Sequence, residues 1–330
     1  MDPRLLKLFR RILEVDSTSG NERELAQTLY YEIDAPYKEK FEMSNGSLNL
    51  LFKWGDSPKV LYCTHMDTVP PYISPRFEGD MVYGRGTCDA KGQIIALYGA
   101  CLELAKAGKS DFALLLVSGE ETGSWGAKAF SGMLTAPLLV IGEPTGNFPV
   151  SATKGTKSFS LTFLGQPVHS GYPDKGRSAV DMWMDFMMEL EIEAEFPRDK
   201  VLGETTWNVG YLQSPNPQNI LSPRLDCRLY FRTTFASDTA VCKWMKNKRS
   251  GNIIIENHGG DAPMEYYVPN GFKGKPAAFG SDAPHLEGFE HKIICGPGSI
   301  LDAHTDHEQV SLQDIEKAIA NNIKFYETQH

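Results

Sequence analysis

Five short stretches of the sequence carry side chains that bind metal ions or move protons. They are His65-Met66-Asp67, Asp89 within the glycine-rich run Gly84-Arg85-Gly86-Thr87-Cys88-Asp89-Ala90-Lys91-Gly92, the pair Glu120-Glu121, Glu143, and His304. Two imidazoles and several carboxylates, with no cysteine required, make a nitrogen and oxygen donor set suited to borderline divalent ions, zinc first. The set holds one acid too many for a single ion. Five ligands around a shared carboxylate fit two ions roughly 3.5 to 4 Å apart, which would clamp a water and a substrate oxygen. In His65-x-Asp67 a carboxylate two residues along the same strand end can orient a ligating imidazole. Adjacent Glu120 and Glu121 can divide their labour, because neighbouring side chains of an extended segment point apart. One could bind metal while the other faces a bridging water as general base.

Each motif also has a plain reading. A lone His-x-Asp is usually a surface coincidence, and a Glu-Glu pair a solvated loop. The Gly84 to Gly92 run is no dinucleotide loop, since Asp89 stands where the third glycine of G-x-G-x-x-G belongs and would repel a pyrophosphate. No G-x-S-x-G or P-loop occurs. His258, His285, His291 and His330 lack such context and read as surface or structural residues, and His307 is a rival to His304 for the last ligand position.

The elements that must position these side chains follow from periodicity. Leu5, Leu6, Phe9, Ile12 and Leu13 mark an amphipathic opening helix. Ser19 and Glu22 have the spacing of a capping box before a helix through Leu25, Leu29 and Ile33. Asn45-Gly46 signals a hairpin. Short apolar strands at Val60 to Thr64, Phe112 to Ser118 and Leu138 to Gly142 then alternate with helices, which argues for an α/β layer with a mixed, largely parallel sheet. Ligands collect beyond the carboxyl ends of such strands, and the five stretches fall at those ends or in the intervening turn. From Lys154 the order becomes βαββαβ, a ferredoxin-like α+β unit. After Gly259-Gly260 the α/β character returns, with a closing helix striped by Leu312, Ile315, Ile319 and Ile323. The expected organisation is a catalytic domain of residues 1–153 and 260–330 with an inserted domain of residues 154–259.

The chain has 330 residues, room for two domains, and its 41% hydrophobic and 23% charged content suits a globular protein. Its 42 acidic and 33 basic residues, net charge -9, argue against a nucleic-acid partner. Its longest apolar runs are too short to span a bilayer. Six scattered cysteines without a Cys-x-x-Cys pair read as reduced, mostly buried thiols. Arg4, Lys7, Arg10 and Arg11 interrupt the first apolar stretch, unlike a signal peptide. A cytoplasmic location is expected.

Six ordered motifs spread over nearly the whole chain resemble the co-catalytic zinc aminoacylase/carboxypeptidase family, which contains acetylornithine deacetylase, acetylcitrulline deacetylase, succinyl-diaminopimelate desuccinylase and carboxypeptidase G. They are His65 to Pro70, Gly84 to Gly92, Glu120 to Ser124, Gly142 to Thr145, His169-Ser170-Gly171, and Gly296-Pro297-Gly298-Ser299-Ile300 through His304. The last looks most like the acetylornithine and acetylcitrulline deacetylases. The resemblance implies that Asp89 bridges two divalent ions, zinc with cobalt or manganese as alternatives. His65 and Glu143 would complete one site, Glu121 and His304 the other. It further implies that Asp67 orients His65, that Glu120 is the general base, and that the inserted domain is a lid that also forms a homodimer. His169 would then reach a partner subunit's site to stabilise an oxyanion, and Asn219 and Arg228 would contact substrate, the arginine through a carboxylate.

The function so implied is hydrolysis of the amide of an N-acyl amino acid, N-acetylornithine or N-acetylcitrulline, in arginine biosynthesis. The alternatives are a dipeptidase or carboxypeptidase on the same metals, and a non-catalytic metal-binding relative. The last would be expected to lack a ligand or the base, and all are present.

Overall fold

The computed structural model describes residues 1–329. The chain divides into two compact units: Met1–Ser151 with Tyr266–Lys275 and the stretch from Ser281 onward, and Ala152–Glu265 with Pro276–Gly280. This division departs from an insertion over 154–259 mainly on the return, where the chain passes to the first unit at Tyr266, comes back at Pro276 and leaves again at Ser281.

The first unit is built on a six-stranded sheet in the order Tyr37–Glu42, Leu48–Lys53, Phe112–Val117, Val60–His65, Ala136–Ile141, Phe289–Ile294. The first two strands form the hairpin signalled by Asn45-Gly46 and join antiparallel. The other four run parallel, with His65 opposite Val117, Cys63 opposite Ile141, and Ile141 opposite Ile294. Val60–His65 and Phe112–Val117 are buried at every position, so they read as unbroken apolar runs rather than alternating ones. Helix Lys91–Lys106 is likewise buried along most of its length. The closing helix Leu312–Glu327 turns a slightly different face inward than its stripe suggests: Ile315, Ala318, Phe325 and Tyr326 are buried, while Leu312, Ile319 and Ile323 are only partly so. Tyr62, on the central strand, donates to the Asn322 carbonyl at 2.8 Å and pins that face.

The expected capping box is not made. Helix Arg23–Glu32 starts after Glu22, with no side-chain cap. Glu22 Oε2 accepts instead from the Gly20 N–H at 2.9 Å, and Ser19 Oγ donates to Asp67 Oδ2 at 2.8 Å. A partner distant in sequence outcompetes the local cap.

The second unit follows the expected βαββαβ order: Gly155–Leu164, helix Ala179–Ile192, Thr206–Gln213, Arg224–Thr233, helix Asp238–Asn247 and Ile253–Gly259. Its four strands pair antiparallel, with Gly155–Leu164 and Arg224–Thr233 in the centre. Burial alternates along both central strands because the helices cover one face. Phe159, Leu161, Phe163, Leu229 and Phe231 pack there against Met182, Phe186, Val241 and Met245.

Candidate metal centre

In a parallel sheet all carboxyl ends lie on one side, and here the ends at His65, Val117 and Ile141 deliver His65, Glu120-Glu121 and Glu143 to one place. Asp89, from the glycine-rich turn, stands among them. Its Oδ1 is 3.0 Å from His65 Nε2 and its Oδ2 3.2 Å from His304 Nε2. His304 Nε2 is also 3.0 Å from Glu121 Oε1. Ligand atoms of His65, Asp89 and Glu143 lie within 4.8 Å of one another, and so do those of Asp89, Glu121 and His304. A third such group joins His65, Glu120 and Glu121. Asp89 thus offers one oxygen to each of two imidazoles. His307 is not among these groups; its Nδ1 lies 2.9 Å from Asp306 Oδ1.

His65 Nδ1 is 2.9 Å from the Asp67 backbone carbonyl. A proton on Nδ1 leaves the Nε2 lone pair free for a cation. The Asp67 carboxylate lies farther from the ring, at 3.4 Å, and is mainly engaged elsewhere. Its oxygens accept from the backbone N–H groups of Glu120 at 3.0 Å and Glu121 at 3.2 Å, and from Ser19. So Asp67 clamps the Glu120-Glu121 backbone as well as facing His65.

Those two glutamates lie in a turn, not an extended segment: the N–H groups of Gly123 and Ser124 both donate to the Glu120 carbonyl, at 3.0 and 3.1 Å. Gly119 makes the entry to that turn possible. It has φ +74°, and a Cβ there would come 1.8 Å from the Trp125 ring.

Burial opposes charge on Asp89 and His65, but their mutual hydrogen bonds, with Asp67 and His304, outweigh it. The Asp89 carboxyl is held well below its usual range and the His65 imidazole well above. Hydrogen bonds to Asp89 and Glu121 push His304 up to about 10. Burial drives Glu120 and Glu143 well above the usual carboxylate range, and neighbouring acids add to it. Glu143 Oε1 is buried without a hydrogen-bond partner. A carboxylate oxygen left bare beside an imidazole and an aspartate is what a missing cation would satisfy. With no thiolate in the set, these residues could hold divalent metal ions.

Four further residues shape the centre that the sequence did not assign to it. Ser19 bonds Asp67. Gln93 Nε2 donates to the Cys88 and Pro297 carbonyls at 2.7 and 2.8 Å, tying the glycine-rich turn to the Gly296 segment. Asp282 is buried with no hydrogen-bond partner for either oxygen, and burial pushes it up to about 6. Glu308 accepts from the Cys88 and Asp89 N–H groups. Ser19 carries only the spacing of a helix cap, and Gln93, Asp282 and Glu308 sit in no motif of recognisable spacing, so only the folded chain brings them to the centre.

His169, Asn219 and Arg228 belong to the second unit. His169 is exposed, and its Nδ1 accepts from the Gly171 N–H at 3.1 Å. The Asn219 carbonyl accepts from the Ser170 N–H at 2.9 Å, which joins the His169 and Asn219 loops. Arg228 is exposed on the helix-free face of the sheet, opposite Ser160 and Tyr211, where Asn208 and Tyr230 line an open concavity with it.

The sequence profile of peptidase family M20/M25/M40 matches residues 61–327, a span that contains His65, Asp67, Asp89, Glu120, Glu121, Glu143 and His304. The chain belongs to this family. A peptidase M20 domain-containing protein of Schizosaccharomyces pombe is 30% identical over 326 residues, covering 94% of this chain and 81% of the relative. A probable carboxypeptidase of Aspergillus flavus is 28% identical over 373 residues, covering 98% of this chain and 86% of the relative. Among solved structures, a tripeptidase of Staphylococcus aureus superposes with a TM-score of 0.80 at 16% identity, covering 99% of this chain and 98% of that one. The M20 fold, a mixed and mostly parallel α/β sheet with a separate lid-like sheet unit, is therefore this chain's fold. The protein is a hydrolase of the M20 metallopeptidase family. A special nearness to acetylornithine or acetylcitrulline deacetylase does not emerge from these relatives, whose descriptions are those of peptidases. Among the described residues no helix is long and apolar enough to cross a membrane.

Proposed function

We propose that this M20 protein is a two-metal amide hydrolase that cleaves small peptides bearing a free carboxylate. The observation that carries this reading is Asp89, whose two oxygens face His65 and His304 separately while Glu143 and Glu121 stand beside them. His65, Glu143 and Asp89 would hold one ion, and Asp89, Glu121 and His304 the other, with zinc expected and cobalt or manganese as substitutes. When bound, such ions polarise an acyl oxygen and bring the pKa of a water towards about 7.

The chain's own groups do the rest. Glu120 takes the proton of the attacking water and returns it to the departing nitrogen; burial raises its proton affinity towards the range where it can do both. Asp67 fixes the Glu120 backbone and faces His65. With Nδ1 of His169 accepting from Gly171, its Nε2–H is free to donate to an oxyanion, which we assign to action from a second copy of the chain. The exposed stripe Met184, Met188 and Ile192 on helix Ala179–Ile192 supports homodimerisation through this unit. Arg228 would grip the substrate carboxylate and Asn219 contact the substrate.

The descriptions of the Aspergillus flavus and Staphylococcus aureus proteins, a probable carboxypeptidase and a tripeptidase, support a peptide substrate. The second reading, removal of an N-acyl group from an amino acid, draws on the Gly296 to His304 motif. A panel of dipeptides, tripeptides, their carboxy-terminal amides, N-acetylornithine and N-acetylcitrulline decides between them. Peptides with free carboxylates should be cleaved fastest; preference for the acetylated amino acids would reverse the order of the two readings. Glu120→Ala should keep both metals and lose nearly all turnover. Mixing inactive His169→Ala and inactive Glu120→Ala proteins should restore activity in hybrid dimers, and no recovery would remove the role in trans. Free, mostly buried cysteines support a cytoplasmic location.

A further inference from the structure

Glu308 has no part in the chemistry just described, yet the two segments that deliver Asp89 and His304 meet at this residue. Its side chain is 0% exposed and faces Arg85, itself 3% exposed. Oε2 accepts from Arg85 Nη1 at 2.6 Å. Oε1 accepts from two successive backbone N–H groups, those of Cys88 and Asp89, at 3.1 Å each. The Glu308 carbonyl accepts from the Gly84 N–H at 3.0 Å. The strand that follows, Gln309–Ser311, pairs antiparallel with Met81–Tyr83, just before the glycine-rich turn.

A buried ion pair is weak evidence for stability, because desolvation offsets much of the attraction. Its geometric effect is more specific. His304 lies four residues upstream, with a side chain 49% exposed, and it sits at φ +64°. With about half of the imidazole exposed, its distance from Asp89 depends on how the neighbouring chain is anchored. Asp89 in turn is oriented from its own N–H, which Glu308 binds.

We propose that Glu308 is a positioning residue: by holding the Cys88 and Asp89 amides it sets Asp89 within reach of His304 and raises the affinity of the Asp89, Glu121 and His304 triplet for a divalent cation. The inference rests on the metal-centre reading above and adds to it a residue that touches neither ion nor substrate. Positioning partners of this kind typically change metal affinity 10- to 100-fold, by about that range of fold-change.

The test compares two double variants, Arg85→Met/Glu308→Gln and Arg85→Met/Glu308→Leu. Both remove the two charges together, so neither leaves a buried ion unpaired, and they differ in the one oxygen that can accept from Cys88 and Asp89. Zinc affinity is measured by competition with a chromophoric chelator, and cobalt(II) binding by its visible absorption spectrum, which follows ligand geometry. The glutamine pair should bind two equivalents nearly as the unaltered protein does. The leucine pair should lose about 10- to 100-fold for one equivalent and show an altered cobalt spectrum. Equal affinities and spectra in the two pairs would overturn the proposal while leaving the metal centre intact. Failure of the unaltered protein to bind two equivalents would overturn the metal-centre reading and this inference with it. Should the leucine pair not fold, Glu308→Asp serves instead: it keeps the charge opposite Arg85 but withdraws the acceptor by one methylene. The same loss of affinity is expected there, and unchanged affinity would refute the role.

Discussion

Replacing Asp67 by asparagine tests whether the carboxylate behind the centre organises it. The side chain is 0% exposed and accepts three hydrogen bonds, from Glu120 N at 3.0 Å, Glu121 N at 3.2 Å and Ser19 Oγ at 2.8 Å. Asparagine offers a single acceptor oxygen. If that oxygen stays on the Glu120 N–H, the new amide nitrogen faces the Glu121 N–H, donor against donor. One backbone N–H is then left without a partner, which costs about 1–3 kcal/mol, and the remaining bonds lose their charge assistance, about 1 kcal/mol each. The first unit should lose about 2–4 kcal/mol of stability in the metal-free protein. Because the clamp holds the Glu121 backbone and the same residue faces His65, zinc affinity should also fall 10- to 100-fold, equivalent to about 1.4–2.8 kcal/mol. Denaturation midpoints of metal-free protein give the first quantity and chelator competition the second. Ser19→Ala, which removes only the hydroxyl bond, is the control and should cost about 1 kcal/mol with little change in affinity. If Asp67→Asn binds both ions like the unaltered protein, or if Ser19→Ala is equally damaging, the clamp is not what organises the centre.

Metal binding near neutral pH should expel protons. Hydrogen bonds to Asp89 and Glu121 push His304 up to about 10, and burial raises Glu143 well above the carboxylate range, so each must shed a proton to bind an ion. Calorimetric titration with zinc in buffers of different ionisation enthalpy should report this release, and apparent affinity should rise with pH until His304 is deprotonated; buffer-independent heats would contradict it. Lys91, two residues past Asp89, gives a second pH effect. Its ammonium donates to the Val15 carbonyl at 2.6 Å, and burial pushes it down to about 8, against about 10.4 in an unfolded chain. Between those values the unfolded chain binds more protons, so this residue makes stability increase as pH rises from about 8 to about 10.4. In Lys91→Met that contribution should vanish, so its stability should rise less, or fall more steeply, over this range than that of the unaltered protein; parallel denaturation profiles would refute it.

Much of the molecule was legible in the order of its residues. Unbroken apolar runs such as Phe112–Val117 announce strands covered on both faces, and the alternation along Gly155–Leu164 announces a sheet covered on one. Both patterns arise because burial acts residue by residue along the chain. The cluster that could hold metal, His65, Asp89, Glu121, Glu143 and His304, was legible for a related reason: only a few side-chain types bind hard or borderline cations, and the first four follow strand ends or lie in a glycine-rich turn.

What the sequence could not decide were the pairings between residues far apart. Ser19 and Glu22 have the spacing of a local cap, yet Ser19 bonds Asp67, 48 residues away. Glu308 reaches Asp89 across 219 residues, and Asp282 enters the centre with no local pattern to mark it. Local spacing fixes which residues share a helix face or a strand face, because the backbone repeat does so. Which distant donor meets which buried acceptor is settled only when the sheet and its turns pack, since a buried polar group takes whichever partner the folded chain brings within about 3 Å.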